Sequence, residues 1–110
     1  MVMTTIGFFS IVQKPEDRHK NTLTIRARVK SDLEALRQGY LPDMGEILDH
    51  LGTDYRYRAV APQTSVANAL SRLTLEVDYD NFKDEVQRMQ GDERARAYSE
   101  VWCALYRLQD

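Results

Sequence analysis

An intrachain disulfide is out of reach for this chain, which holds one cysteine, Cys103. That favours a reducing compartment and leaves no thiolate set for a structural metal. Histidine is nearly as scarce: His19 and His50 are the only two, and neither has a Cys, His or carboxylate at metal-ligand spacing. With 5 Gly and 3 Pro the chain is neither collagen-like nor low-complexity. A Gly-rich phosphate loop, a nucleophile elbow and a dinucleotide fingerprint are all missing. Long apolar runs are missing too. The N-terminal one extends only to Val12, far too short to span a bilayer, and it lacks the basic leader and small-residue cleavage site of a signal peptide. The expectation is a cytoplasmic, soluble protein with no membrane contact, metal or cofactor. Cys103 falls mid-helix beside Trp102, where small buried cysteines are common. It is therefore read as core and not as half of a Cys–His catalytic pair.

What remains suits one folded domain over residues 1–110, with 43% hydrophobic and 29% charged residues. Net charge is −2, so the chain as a whole is not a generic nucleic-acid binder. Residues 1–61 hold nine Lys/Arg and eight Asp/Glu, and residues 62–110 six and nine, a modest acidic skew toward the C-terminal part.

The run 6–13 is rich in aromatic and β-branched residues and predicts a strand partly covered on both faces. Residues 14–21, charged and with Pro15, predict a loop, and residues 22–30 a second, alternating strand that completes a long-looped hairpin. Ser31-Asp32-Leu33-Glu34 reads as a capping box opening a helix to about Gln38, with Gly39 as a left-handed stop. Residues 46–49 and 54–60 predict two more strands with a turn near Gly52. Val66, Ala69, Leu70, Leu73 and Val77 keep helical spacing. Asp80 is the expected N-cap of a helix containing Phe82, Val86 and Met89, and Gly91 separates it from a last helix over 93–108. The expected fold class is α+β: a four-stranded, mostly antiparallel sheet in β-β-α-β-β-α order, helices on one face, and two further C-terminal helices.

Two of these strands carry the same ornament. In residues 23–30 apolar side chains alternate with Arg26, Arg28 and Lys30; in residues 54–59 Tyr55 and Tyr57 alternate with Arg56 and Arg58. Successive strand side chains face opposite ways, so each strand has an apolar and a cationic face. If the strands share a sheet, Arg26, Arg28, Lys30, Arg56 and Arg58 form a basic plate able to bind phosphate or an acidic protein surface. The bland reading is a solvated face whose charges discourage edge pairing and are neutralised by neighbouring carboxylates. Tyr55 and Tyr57 should point to the opposite, covered face, which disfavours base stacking.

Glu76, Asp78, Asp84 and Glu85 form a candidate acidic patch for a basic partner. Read with Asp80 as a calcium loop, the segment fails: position 6 is Lys83 and position 12 is Met89. Asp84 and Glu85 instead suit the first turn of a helix, where the dipole favours negative charge. The stripe Tyr98, Val101, Trp102, Leu105 and Leu108 predicts core, with a homodimer contact as the alternative.

Asp54-Tyr55-Arg56-Tyr57-Arg58 and Asp78-Tyr79-Asp80-Asn81-Phe82-Lys83, together with Phe9-Ser10-Ile11-Val12-Gln13-Lys14, Arg26-Ala27-Arg28 and Val101-Trp102, carry a resemblance. Over most of its length the chain resembles a family of small bacterial and phage-borne proteins of unknown function. The resemblance implies a free-standing single domain. It brings no activity, cofactor or catalytic residue, and it keeps open a role as a mobile-element inhibitor of a host defence complex, for instance an anti-CRISPR-like protein. The residues point to a non-enzymatic protein-binding module, an inhibitor or accessory subunit; the alternative is nucleic-acid binding by the basic sheet face.

Overall fold

The computed structural model describes residues 1–109. Five strands and four helices follow one another as β1 (Val2–Met3), β2 (Phe8–Val12), β3 (Thr22–Ala27), α1 (Lys30–Gly39), β4 (Leu48–Asp49), β5 (Tyr57–Pro62), α2 (Gln63–Leu75), α3 (Phe82–Gln90) and α4 (Asp92–Tyr106). Single 3-10 turns lie at Pro15–Asp17 and Arg107–Gln109. The class is α+β, as the sequence indicates, but the sheet has five strands where four were expected and the order gains a strand at its start. All pairings are antiparallel, in the order β1-β2-β3-β5-β4. The extra strand has two residues, too short to leave a period-2 signal. No helix among the described residues is long and apolar enough to cross a membrane.

Register sorts the side chains onto the two faces. Ile25 lies opposite Ile11 and Ala59, and Ala27 opposite Tyr57; residues directly opposite on antiparallel strands share a face. This face carries the buried Phe9, Ile25, Ala27, Ala59 and Ala61. It is covered by α1 through Leu33 and Leu36 and by α2 through Val66 and Ala69. Small Ala residues on β3 and β5 let the two helices approach closely, and Leu41 and Met44 seal the connector below them. Arg26, Arg58, Ser10, Thr24 and Val60 belong to the other face, on which α1 and α2 do not lie; there Asp17 of the Pro15–Asp17 turn bonds Thr24, α4 reaches Phe8 through Tyr98, and Ser10 and Thr24 are buried.

Helix ends depart from the sequence reading. The helix expected to open with a Ser31–Glu34 capping box starts two residues earlier, with Val29 in place of Ser31 at the N-cap and no side-chain cap. Asp32 is drawn inward: buried, it accepts hydrogen bonds from the backbone N–H of Phe8 at 3.1 Å and from Arg94 at 2.9 Å. Gly7 makes room for it, since a Cβ there would come within 2.8 Å of Asp32 Cβ. Gly39 is the last residue of α1 and takes no left-handed conformation. Asn81, not Asp80, caps α3, accepting from the Asp84 N–H. Gly91, at φ 92°, ends α3 and begins α4 in a conformation that side-chain-bearing residues rarely adopt.

The α3–α4 hairpin hangs on the sheet end through Arg94–Asp32, through Tyr98, whose hydroxyl donates to the Thr4 carbonyl, and through Gln90, which donates to the Thr5 carbonyl. Tyr98 is buried among Phe8 and Phe82. Beyond it, the stripe expected to be core is bare: Trp102 is 50%, Leu105 54% and Leu108 81% exposed, and Val101 and Cys103 are exposed with them. The apolar period is present, but α4 outruns the body it packs on.

Candidate binding face on the sheet

Arg26 and Arg58 are directly opposite on β3 and β5, the central pair of the sheet. Like charges in that position repel and destabilise the pairing. Alternation of β3 then puts Arg28 on the same side, and the three guanidiniums converge on one residue, Tyr55. Arg26 and Arg28 lie over its ring, their Cζ atoms 4.7 and 4.6 Å from the centroid. Arg58 donates to the Tyr55 carbonyl and Arg28 to that of Asp54, both at 3.1 Å, while Arg26 donates to the Ser10 hydroxyl at 2.8 Å.

Tyr55 was expected on the covered face, and it is not there. Pairing in β5 begins only at Tyr57. Residues 50–55 form a turn in which the Thr53 hydroxyl bonds the His50 and Tyr55 carbonyls and the Asp54 carboxylate accepts the Tyr55 N–H. Alternation therefore does not carry back to Tyr55, which folds onto the cationic side and is 4% exposed. Tyr57, inside the strand, packs against the core as alternation predicts.

The other two members of the plate stand apart. Arg56 precedes the strand and makes a two-pronged ion pair with Asp49, at 2.8 and 3.0 Å. Hydrogen bonds from Arg56 hold the Asp49 carboxyl below its usual range, and the same bonds raise Arg56. Lys30 opens α1 and is exposed. Neutralisation by neighbouring carboxylates thus applies to Arg56 only. Among the described residues no Asp or Glu lies within ion-pair distance of Arg26, Arg28 or Arg58. Among the described residues the side-chain atoms buried without a hydrogen-bond partner are Arg26 Nε, Arg58 Nε and the Tyr55 hydroxyl, all of this cluster. Such donors normally find acceptors, because leaving one unmade costs about 1–3 kcal/mol.

Next to Arg58 the face opens into a groove of about 600 Å³ between the 3-10 turn Pro15–Asp17 and β4, with Leu48, Val60 and Thr24 on its floor and Lys14, His50, Glu16 and Glu46 around it. Asp17 fixes the near wall. Buried, it accepts from the Lys14 N–H and from the Thr22 and Thr24 hydroxyls at 2.7–2.8 Å. Burial works to raise its pKa, but those three bonds, helped by the Lys20 charge, outweigh it and leave Asp17 below the ordinary 3.8. A depressed carboxyl contributes stability above its unfolded pKa and loses it as pH falls through the folded one. Asp17→Asn is expected to lower stability at neutral pH by about 1–2 kcal/mol. In urea titrations its gap to the parent should close below pH 3.8; a gap constant with pH would mean that Asp17 contributes no charge-dependent stability.

The acidic candidates split up. Glu76, Asp78 and Glu85 line one small cavity together with Tyr40, Tyr79 and Arg88, and Glu85 is ion-paired with Arg88. Asp84 stands apart from that lining in the first turn of α3. Among the described residues no three His, Cys, Asp or Glu side chains meet in a way that could hold a metal ion. Comparison with protein-family models, curated proteins and solved structures finds no match for this chain.

Proposed function

We propose that the chain is a non-enzymatic binding module, an inhibitor or accessory subunit, that docks an acidic surface of a protein partner on the sheet face opposite α1 and α2. The observation that supports this most is the Arg26–Arg58 pair: two like charges facing each other across the central strands, half-buried, with no ion-pair partner among the described residues. A purely structural position would be served better by threonine or valine, which suit strands without repulsion. A partner carboxylate supplies what the cluster lacks, by charge-assisted hydrogen bonds.

Nucleic acid fits less well. Base stacking would need an accessible aromatic, and Tyr55 is buried under Arg26 and Arg28. The groove is lined by Leu48 and Val60 and by Lys14, His50, Glu16 and Glu46 together, a mixed lining that suits a single carboxylate better than a run of phosphates.

The test is affinity capture from the native lysate, with and without nuclease, using the parent chain and the charge-reversed Arg26→Glu/Arg58→Glu variant. The expected result is a protein partner that survives nuclease with the parent and is lost with the variant. A partner equally retained by the variant would remove the sheet face from the account. Partners that vanish with nuclease, with affinity falling by roughly one log unit per log unit of salt for each phosphate neutralised, would establish nucleic acid instead.

A further inference from the structure

The groove beside Arg58 adds a second recognition element to the charge. Arg58 and Val60 are two residues apart on β5 and share a face, so their side chains stand roughly 6.6–6.8 Å apart along the strand. Leu48 lies directly opposite Arg58 on β4. Val60 and Leu48 are 42% and 43% exposed, an apolar step adjoining the cationic one. An extended peptide has the same two-residue repeat. Resting on the reading of this face as a protein-binding surface, we infer that the groove takes an extended segment of the pattern acidic–any–apolar. The acidic side chain seats against Arg58, and the apolar one against Val60 and Leu48.

Each side of the groove contributes to this choice. Among the described residues Arg58 has no carboxylate partner, whereas Arg56, two residues earlier, is already satisfied by Asp49. A planar carboxylate matches the guanidinium fork. The mixed rim of Lys14, His50, Glu16 and Glu46 accepts one negative charge at the centre but not a row of them. The wall made by Pro15–Asp17 is fixed by the three hydrogen bonds into Asp17, so the groove is formed before the ligand arrives.

The probe is a capped pentapeptide, Ser-Asp-Thr-Ile-Ser, titrated into the full chain while backbone amide NMR shifts are followed. Controls replace its Asp by Asn or its Ile by Ser, and a single-stranded oligonucleotide and inorganic phosphate are titrated separately. The expected result is saturable shifts at Leu48, Arg58 and Val60, with affinity lower by about tenfold or more for either altered peptide and for Arg58→Gln. Arg56→Gln should bind as the parent does, and shifts elsewhere in both variants report that they fold. Equal response to the Asp and Asn peptides, or none at these residues, overturns the inference. If charge reversal still abolishes protein capture, the binding-module reading survives that failure; if capture is insensitive as well, both fall. Shifts at the groove with phosphate or oligonucleotide but not with the peptide overturn it in favour of a phosphate ligand.

Discussion

Replacing Asp32 by alanine is expected to lower the stability of the chain by about 2–4 kcal/mol. Removing one partner of a buried ion pair typically costs about 3–5 kcal/mol; here the Arg94 side chain keeps 20% of its surface in water against 6% for Asp32, which trims the figure. The carboxylate ties three segments together. It accepts the Phe8 N–H at the start of β2, it sits in the first turn of α1, where negative charge suits the helix dipole, and it anchors α4 through Arg94. Alanine orphans both donors. Asparagine retains an acceptor for Phe8 and should lose less. A double-mutant cycle with Arg94→Ala, read in urea titrations, should give a coupling energy above about 1 kcal/mol. Additive single effects would show that the α3–α4 hairpin is held by its apolar contacts and not by this pair.

The second large effect is at Tyr55. Tyr55→Ala removes a nearly fully buried ring on which Arg26 and Arg28 rest and is expected to cost about 3 kcal/mol, the usual range for truncating a buried aromatic. Tyr55→Phe should behave in the opposite way. The hydroxyl is buried with no hydrogen-bond partner among the described residues, so deleting it removes an unmade hydrogen bond while the ring, its packing and its contacts with the guanidiniums remain. Stability should be unchanged or higher by up to about 1 kcal/mol. Thermal or urea denaturation of the three proteins separates the two contributions. A phenylalanine variant as unstable as the alanine one would show that the hydroxyl has a structural partner and that the cluster is not left short of acceptors.

The sheet faces are legible in the sequence because period-2 alternation in Leu23–Val29 and Tyr57–Val60 survives into β3 and β5, and the register then brings Arg26 and Arg58 together. Register itself is not encoded in alternation; it follows from the lengths of the connections and the fit of Ala27, Ala59 and Ala61 under the helices. Tyr55 is misplaced by alternation because Gly52-Thr53-Asp54 is a turn whose side chains bond their own backbone, and the strand begins beyond it. Asp32 reads as an ordinary member of a helix start, since its partners lie 24 and 62 residues away and nothing local announces them. The stripe on α4 shows the converse limit. Periodicity says which side of a helix is apolar, and it says nothing about how far along the helix there is a body to cover it.

Arg56 and Arg58 test most directly whether the sheet face opposite α1 and α2 binds through charge left without an ion-pair partner among the described residues. They are near neighbours in sequence, and substitution of either by glutamine changes net charge equally. One is paired with Asp49 and the other has no carboxylate partner. The measurement is the dissociation constant of the nuclease-resistant partner for Arg56→Gln and Arg58→Gln side by side at fixed salt. The account predicts parent-like affinity for the first and a loss of about tenfold or more for the second. Equal losses would mean that only overall charge matters, and a loss confined to Arg56→Gln would contradict the assignment of the site.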